Sequence, residues 1–300
     1  DITIITEDEW FRVICKPQGI ATMGTKGPTL LTSDVMLLPN AIKLQLRYKK
    51  AVPCHRLDIS TGGLVICSKS KQAEVNIMKS FRNKWVKKMY IAIVSGKLEP
   101  QEGTINDFIG DKMAITKYVV RKCSRSIQYG WISTVELYPI TGRKHQLRRH
   151  MQSINHPIIG DRRYSFASSW PSTNNQFLWS ISVTFPHPKD FHKLETYFSP
   201  SFVAEKNPTG KDGVGIEKTE ATEDSDDEDD AVNIAESGLC PLEAVAADLQ
   251  VEMVTVEIAE PAFYEDFRQL QEKIWIDHVN EHGQPVDSER EPGTAEALFL

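Results

Sequence analysis

Two stretches of this 300-residue chain gather side chains able to do acid–base or nucleophilic chemistry. In Cys54-His55-Arg56-Leu57-Asp58-Ile59-Ser60-Thr61-Gly62-Gly63-Leu64, a carboxylate follows an arginine and precedes a glycine pair. Glycines there allow a ligand to approach the backbone closely. A nearby cation would keep Asp58 ionised despite burial, as a nucleophile or base requires. Taken alone, the pattern reads more readily as an aspartate capping a turn before a strand. The second stretch is Thr141-Gly142-Arg143-Lys144-His145-Gln146-Leu147-Arg148-Arg149-His150, followed by Asn155-His156-Pro157-Ile158-Ile159-Gly160-Asp161. Its histidines suggest a metal, but His145 and His150 would lie roughly 140° apart around a helix. A zincin helix spaces them by four, with a glutamate after the first. Lys144 and Gln146 flank His145 instead, so no metal site is expected.

The elements that must position these residues are mostly short strands broken by turns. Ile2–Thr6 and Phe11–Cys15 read as a hairpin, followed by a loop with Pro17, Gly19, Gly24, Gly27 and Pro28. Thr29–Leu38 is expected as a short helix ended by Pro39, and Gly63–Ser68 as an apolar strand. Lys71–Trp85 has the spacing of an amphipathic helix, with Ile77, Met78, Phe81 and Trp85 on one stripe. Strands are predicted at Lys88–Ser95, Ala114–Arg121, Gly130–Leu137, Leu178–Phe185 and Leu194–Tyr197. His145–Ile154 reads as a helix with Leu147, Met151 and Ile154 inward. Few strands are separated by helices long enough for repeated parallel crossovers. The fold class is therefore α+β, with a mixed, largely antiparallel sheet and flanking helices.

Charge divides the chain. Residues 1–200 carry 29 Lys+Arg against 15 Asp+Glu, and residues 201–300 carry 6 against 26. The basic groups lie in Arg47–Lys50, Arg82–Lys88, Arg121–Arg125 and Gly142–His150. Such clusters neutralise phosphates and release counterions, or form a solvated surface with no partner; charge alone does not decide between these. The composition breaks near residue 203. Residues 1–203 form one expected folded unit and 204–235 an acidic linker, including EDSDDEDD at Glu223–Asp230, expected to be disordered. Residues 236–300 form a C-terminal extension whose pattern allows one helix over 262–279, with Phe263, Phe267, Leu270, Ile274 and Val279 near one face. That tail could contact the basic body or a protein partner.

Five cysteines, Cys15, Cys54, Cys67, Cys123 and Cys240, are scattered without a C-x-x-C pair. This argues against a disulfide framework or a cysteine zinc site and suits an intracellular protein of undetermined compartment. No apolar run reaches the roughly 18 residues of a membrane span, and DITIITEDEW lacks the features of a secretory signal. A monomer is the default expectation.

The ordered motifs then narrow the reading. His55-Arg56-Leu57-Asp58 with Thr61, Gly63 and Leu64 resembles the H-R-L-D-x-x-T-S-G-L signature of RluA-type RNA pseudouridine synthases. Lys88-Met89-Tyr90-Ile91-Ala92-Ile93-Val94-Ser95-Gly96 is similar to that family's K-x-Y-x-A-x-V-x-G strand. Gly142-Arg143, His145-Gln146, Arg148, His150, His156–Asp161 and Tyr164 resemble its G-R-T-H-Q-I-R-x-H and G-H-P-I-x-G-D-x-x-Y blocks. Phe185 with His187-Pro188 and the N-terminal stretch Glu7-Asp8 through Lys16-Pro17 and Gly19 also fit. The blocks keep the family order and span roughly residues 2–203. The chain departs at Gly62, where serine is usual, at Asn155 for glycine, and at Lys144 for threonine. Gly62 adjoins the Asp58 loop and is expected to loosen it.

The resemblance implies the pseudouridine synthase catalytic fold and residue roles within it. Asp58 falls on the catalytic aspartate, Tyr90 on the tyrosine that stacks on the target uracil, and Arg148 on the arginine paired with the aspartate. Arg56 falls on the arginine implicated in flipping the base; His55, Arg143, His145 and Gln146 are the further expected substrate-binding residues. The implied reaction turns uridine into pseudouridine in tRNA or rRNA, with the base flipped out of its stack at a cost of a few kcal/mol. It needs no cofactor and no metal. The rival readings are a non-catalytic RNA-binding protein on the same scaffold and an adaptor acting through its acidic tail. Intact Asp58, Tyr90 and Arg148 count against a pure binder.

Overall fold

The computed structural model describes residues 2–22, 52–165, 175–199 and 242–283. The expected helix over 29–38 and the acidic linker lie outside the described residues. The order is β1 (Thr3–Glu7), β2 (Phe11–Lys16), β3 (Val52–Pro53), β4 (Gly62–Ser68), α1 (Lys71–Arg82), β5 (Lys87–Ser95), β6 (Glu102–Ile109), β7 (Lys112–Ser126), β8 (Gly130–Pro139), α2 (Gln146–Ser153) and β9 (Leu178–Pro186). A 3-10 turn (Pro188–Asp190) leads to α3 (Phe191–Tyr197), then α4 (Leu242–Asp248), β10 (Met253–Glu257) and α5 (Ala262–His282).

One sheet runs β1-β2-β4-β9-β5-β8-β7-β6, with β3 on β4 and β10 on β9. The β4–β9 pair is parallel and covers only Gly62↔Trp179 and Gly63↔Ser180, while the other described pairs are antiparallel. The mixed, largely antiparallel α+β class is therefore the observed one. Beyond that short parallel contact β4 leaves β9, and β10 takes over its flank from Ser182 to Pro186. The central strands carry the apolar runs: every residue of β4 is buried, as are Tyr90–Val94 of β5. Apolar residues on both faces are what a strand covered on both sides requires. On one face Leu57, Tyr90, Leu137, Leu147, Met151 and Leu178 pack in a single cluster.

Several elements differ from the sequence reading. Leu194–Tyr197 belongs to the helix α3: Phe191 and Leu194, three apart, both turn inward onto Trp85. Met78 leaves the expected stripe of α1 and is exposed, while Ile77, Phe81 and Trp85 are buried. α1 stops at Arg82, and Trp85 lies beyond it. Within 236–300, where one helix was expected, the structure has α4, β10 and α5, all packed on the rest of the chain. The buried face of α5 is Tyr264, Arg268 and Gln271, whereas Leu270 and Ile274 are exposed. Polar docking explains the difference: Ser126 Oγ donates to Gln271 at 2.6 Å, and Arg268 reaches Thr134 at 3.3 Å and pairs with Glu260. Among the described residues no helix is long and apolar enough to cross a membrane.

Candidate active site

Asp58 sits in the turn between β3 and β4, on a backbone staked from both sides. Just before it, Leu57 N donates to Thr22 Oγ1 at 3.0 Å, and that hydroxyl donates back to Leu57 O at 2.8 Å. Just after it, Gly19 N donates to Ile59 O at 2.8 Å and Thr61 N to Asp58 O at 3.0 Å. The loop is therefore fixed by hydrogen bonds to the Gly19–Thr22 segment, and Asp58 keeps a side chain that is 25% exposed.

Arg148, in the first turn of α2, donates through Nη1 to Asp58 Oδ2 at 2.9 Å. Its other edge forms a fork on Asp161, Nε to Oδ2 at 2.6 Å and Nη2 to Oδ1 at 2.9 Å. Such two-pronged guanidinium–carboxylate contact is the stronger, directional kind of ion pair. Burial opposes the Arg148 charge, but the hydrogen bonds to Asp161 and Asp58 outweigh it and raise its pKa. Asp161 is fully buried and also accepts from the backbone of Arg163 and Tyr164. The Tyr164 ring lies 5.0 Å from the guanidinium. One permanent cation thus lies between a sealed carboxylate and an accessible one.

His145 precedes α2 in a left-handed conformation, φ 55°. Its Nδ1 is 2.9 Å from Tyr164 Oη, and its Nε2 is 3.6 Å from Asp58 Oδ1. Burial lowers the His145 pKa, against the pull of Asp58. The neutral ring is therefore the dominant form at pH 7.

Lys16, at the end of β2, is wholly buried, and Nζ donates to Pro17 O at 3.0 Å and Ile20 O at 2.8 Å. Burial lowers its pKa to about 8, with Asp58 pulling the other way, so the two groups share a field. Lys16, Asp161 and Tyr164 stand in the sequence as motif residues with no role of their own. Their signal was an ionisable or aromatic group beside a Pro/Gly turn or at the edge of a motif.

Tyr90 on β5 pairs with Leu137 of β8 and Ser180 of β9, immediately after an irregularity in register at Met89. Its ring belongs to the same apolar cluster as Leu57 and Leu147, the sequence neighbours of Asp58 and Arg148. Arg56 is exposed two residues before Asp58. Arg143 Nε donates to Met113 O at 3.2 Å.

Two expected substrate-binding residues are turned inward. His55 is buried, its Nε2 accepts from Ile66 N at 3.0 Å, and its ring lies 4.8 Å from Phe81. Burial drives its pKa down to about 3, with the Lys88 charge adding to the effect. Gln146 is also buried: Oε1 accepts from Thr141 Oγ1 and Arg143 N, while Nε2 donates to Ile115 O and Thr116 Oγ1. Both its functional atoms are used inside the protein. These two residues hold the β3–β4 turn and the start of α2 in place.

Gly62 does not stand beside open space. The Trp179 ring lies where a Gly62 side chain would be, so that an added Cβ would meet Cζ3 at 2.3 Å. Trp179 supplies the packing that a side chain at 62 would otherwise give. Asn155 stands at φ 62°, a left-handed position that asparagine tolerates better than most residues.

An accessible carboxylate and a permanent counter-cation, with the Tyr164 ring against that cation, suit attack on, or proton removal from, a flat ring brought to Asp58. A family model for RNA pseudouridylate synthase matches residues 11–153. The dual-specificity RNA pseudouridine synthase RluA of Vibrio vulnificus is 32% identical over 212 residues, covering 66% of this chain and 82% of that protein. The protein of the same name from Vibrio cholerae is 35% identical over 214 residues, with the same coverage of 66% and 82%. The solved structure of human RNA pseudouridylate synthase domain containing 1 superposes with a TM-score of 0.52 at 22% identity. It covers 67% of this chain and 86% of that one, a likeness of fold.

Proposed function

The chain belongs to the RluA-type family of RNA pseudouridine synthases, and from that premise we propose that Asp58 is the carboxylate that isomerises uridine to pseudouridine in structured tRNA or rRNA. The observation that carries this reading is the Asp58–Arg148–Asp161 chain. Arg148 supplies the counter-charge to Asp58, and Asp161 keeps Arg148 in place. A flipped uridine would lie against Tyr90, with Arg56 at the exposed edge of the loop to fill the vacated stack. Asp58 then attacks ribose C1′ or uracil C6, or promotes elimination at the sugar. In each route the N1–C1′ bond breaks, the base turns, a C5–C1′ bond forms, the C5 proton leaves and N1 gains one; any bond made to Asp58 is broken again, and any proton taken from the sugar is returned, to free product and carboxylate. The uracil and ribose atoms are conserved, and the step consumes no external oxidant or phosphate. RNA is held by the basic body, and residues 2–199 with 242–283 serve as one catalytic unit.

The test is Asp58→Asn, which keeps the shape and removes the charge. The expected outcome is RNA affinity within about 3-fold of the parent and loss of pseudouridine by at least about 10³-fold, read by mass spectrometry of digested transcripts. Turnover near the parent level would overturn the assignment of Asp58.

A further inference from the structure

Gln176 lies just before β9, 3% exposed, between the Asp58 loop and the carboxylate that holds Arg148. Its Oε1 accepts a hydrogen bond from Ser60 Oγ, two residues after Asp58. Its Nε2 faces Asp161 Oδ2 at 3.5 Å, the oxygen that also receives Arg148 Nε. The amide direction is fixed chemically: an ionised carboxylate accepts only, so the NH2 faces Asp161 and the oxygen is left for Ser60. The backbone of Gln176 is held as firmly. Its carbonyl accepts from Leu178 N at 2.9 Å and from the Gln18 side chain. The next residue, Phe177, exchanges backbone bonds with Ile159 and Ile93, and its ring packs on Phe263, Tyr264 and Phe267 of α5 at 4.5–5.4 Å.

We propose that Gln176 is a positioning residue for the reaction, a buried amide that ties the Asp58 loop to Asp161 and so fixes the distance between Asp58 and its Arg148 counter-ion. The proposal rests on Asp58 being the reacting carboxylate. Ser60 and Asp161 belong to separate segments, and a single side chain spans them. A loop free to shift by about 1 Å can lose some 10²-fold in rate without losing its ligand. Gln176 does not touch the substrate in this account. It acts through Asp58 and Arg148, and its loss should therefore appear in the chemical step.

The test uses the full chain and an unmodified transcript on which the parent forms pseudouridine. Single-turnover rate and RNA affinity are measured for Gln176→Ala, Gln176→Glu and Ser60→Ala, with Asp58→Asn alongside. Gln176→Ala and Gln176→Glu are expected to slow the step by about 10- to 100-fold, with affinity within about 3-fold. Gln176→Glu puts a second acceptor opposite Asp161; protonation restores a donor, so its rate should recover relative to the parent as pH falls from 8 towards 5.5. Any carboxylate buried at this point would recover in that way, so the tie between the two segments is read from the double variant with Ser60→Ala. Ser60→Ala, a surface-side change with little effect on folding, should give a smaller loss that overlaps that of Gln176→Ala in the double variant. Rates within about 3-fold of the parent, losses confined to affinity, or a Gln176→Glu deficit equal at every pH would overturn the inference. If Asp58→Asn is inactive while the Gln176 variants keep the parent rate, only Gln176 is misassigned. If Asp58→Asn stays active, the premise itself fails.

Discussion

At the scale of single residues, the same motif divides its labour between the surface and the interior. His55 and Asp58 lie three apart, yet one is sealed and the other reaches solvent. The sealed histidine has a measurable consequence. Its folded pKa of about 3, lowered by burial, stands against an unfolded value near 6.5. Between these values the unfolded chain holds a proton that the folded chain does not. Stability therefore falls as pH drops below about 6.5, by up to about 1.4 kcal/mol per pH unit from this group. Denaturant midpoints between pH 4.5 and 7.5 should show this slope in the parent and a shallower one in His55→Gln. Equal slopes would rule out a neutral, buried His55.

At the scale of elements, the Asp58 loop and β9 are fitted to one another through Gly62 and Trp179. A serine at 62 would drive its Cβ into the indole, a ring that also packs edge-on against Phe263 at 5.9 Å. Gly62→Ser is therefore expected to destabilise the fold by about 1–3 kcal/mol and to lower activity. Adding Trp179→Ala should recover part of the activity by clearing the space. Thermal melts and single-turnover rates of the two single variants and the double variant provide the check; strictly additive losses would refute the coupling. The strands and helices near the site were legible because their patterns are local: the apolar run of β4, the 3.6-residue spacing of α2 and the ordered motifs all speak for themselves. Asp58 and Arg148 were legible through the motifs alone, since neither spacing nor charge brings residues so far apart in the chain together. β10 and the docking face of α5 were not legible. MVTVE is short and α5 docks through Arg268 and Gln271, which polarity would assign to solvent. Trp179 opposite Gly62 is a contact between distant segments, and no local pattern carries it.

At the scale of the molecule, residues 242–283 are a structural part of the body despite the sharp change in charge that precedes them. α5 buries Tyr264 completely and covers Phe177, while β10 lies along β9. A chain ending at residue 199 would lose that strand, expose those aromatic rings and leave Gln176 without the support behind it. Its expected behaviour is a loss of stability by at least about 3–5 kcal/mol, the scale of removing one large buried side chain. Aggregation or cleavage in limited proteolysis would report it. A truncated chain that melts like the parent would contradict this arrangement.

The flank of β9 also sets a timetable. Ser182, Val183 and Thr184 have partners on β5, made before them, but the opposite flank is filled by Met253–Glu257. Until those residues leave the ribosome, the middle of the sheet presents an open row of amides and carbonyls beside apolar side chains. Exposed strand flanks of this kind recruit other chains. The newborn enzyme is therefore most vulnerable late in its synthesis, when its motifs are all present and its last strand is not.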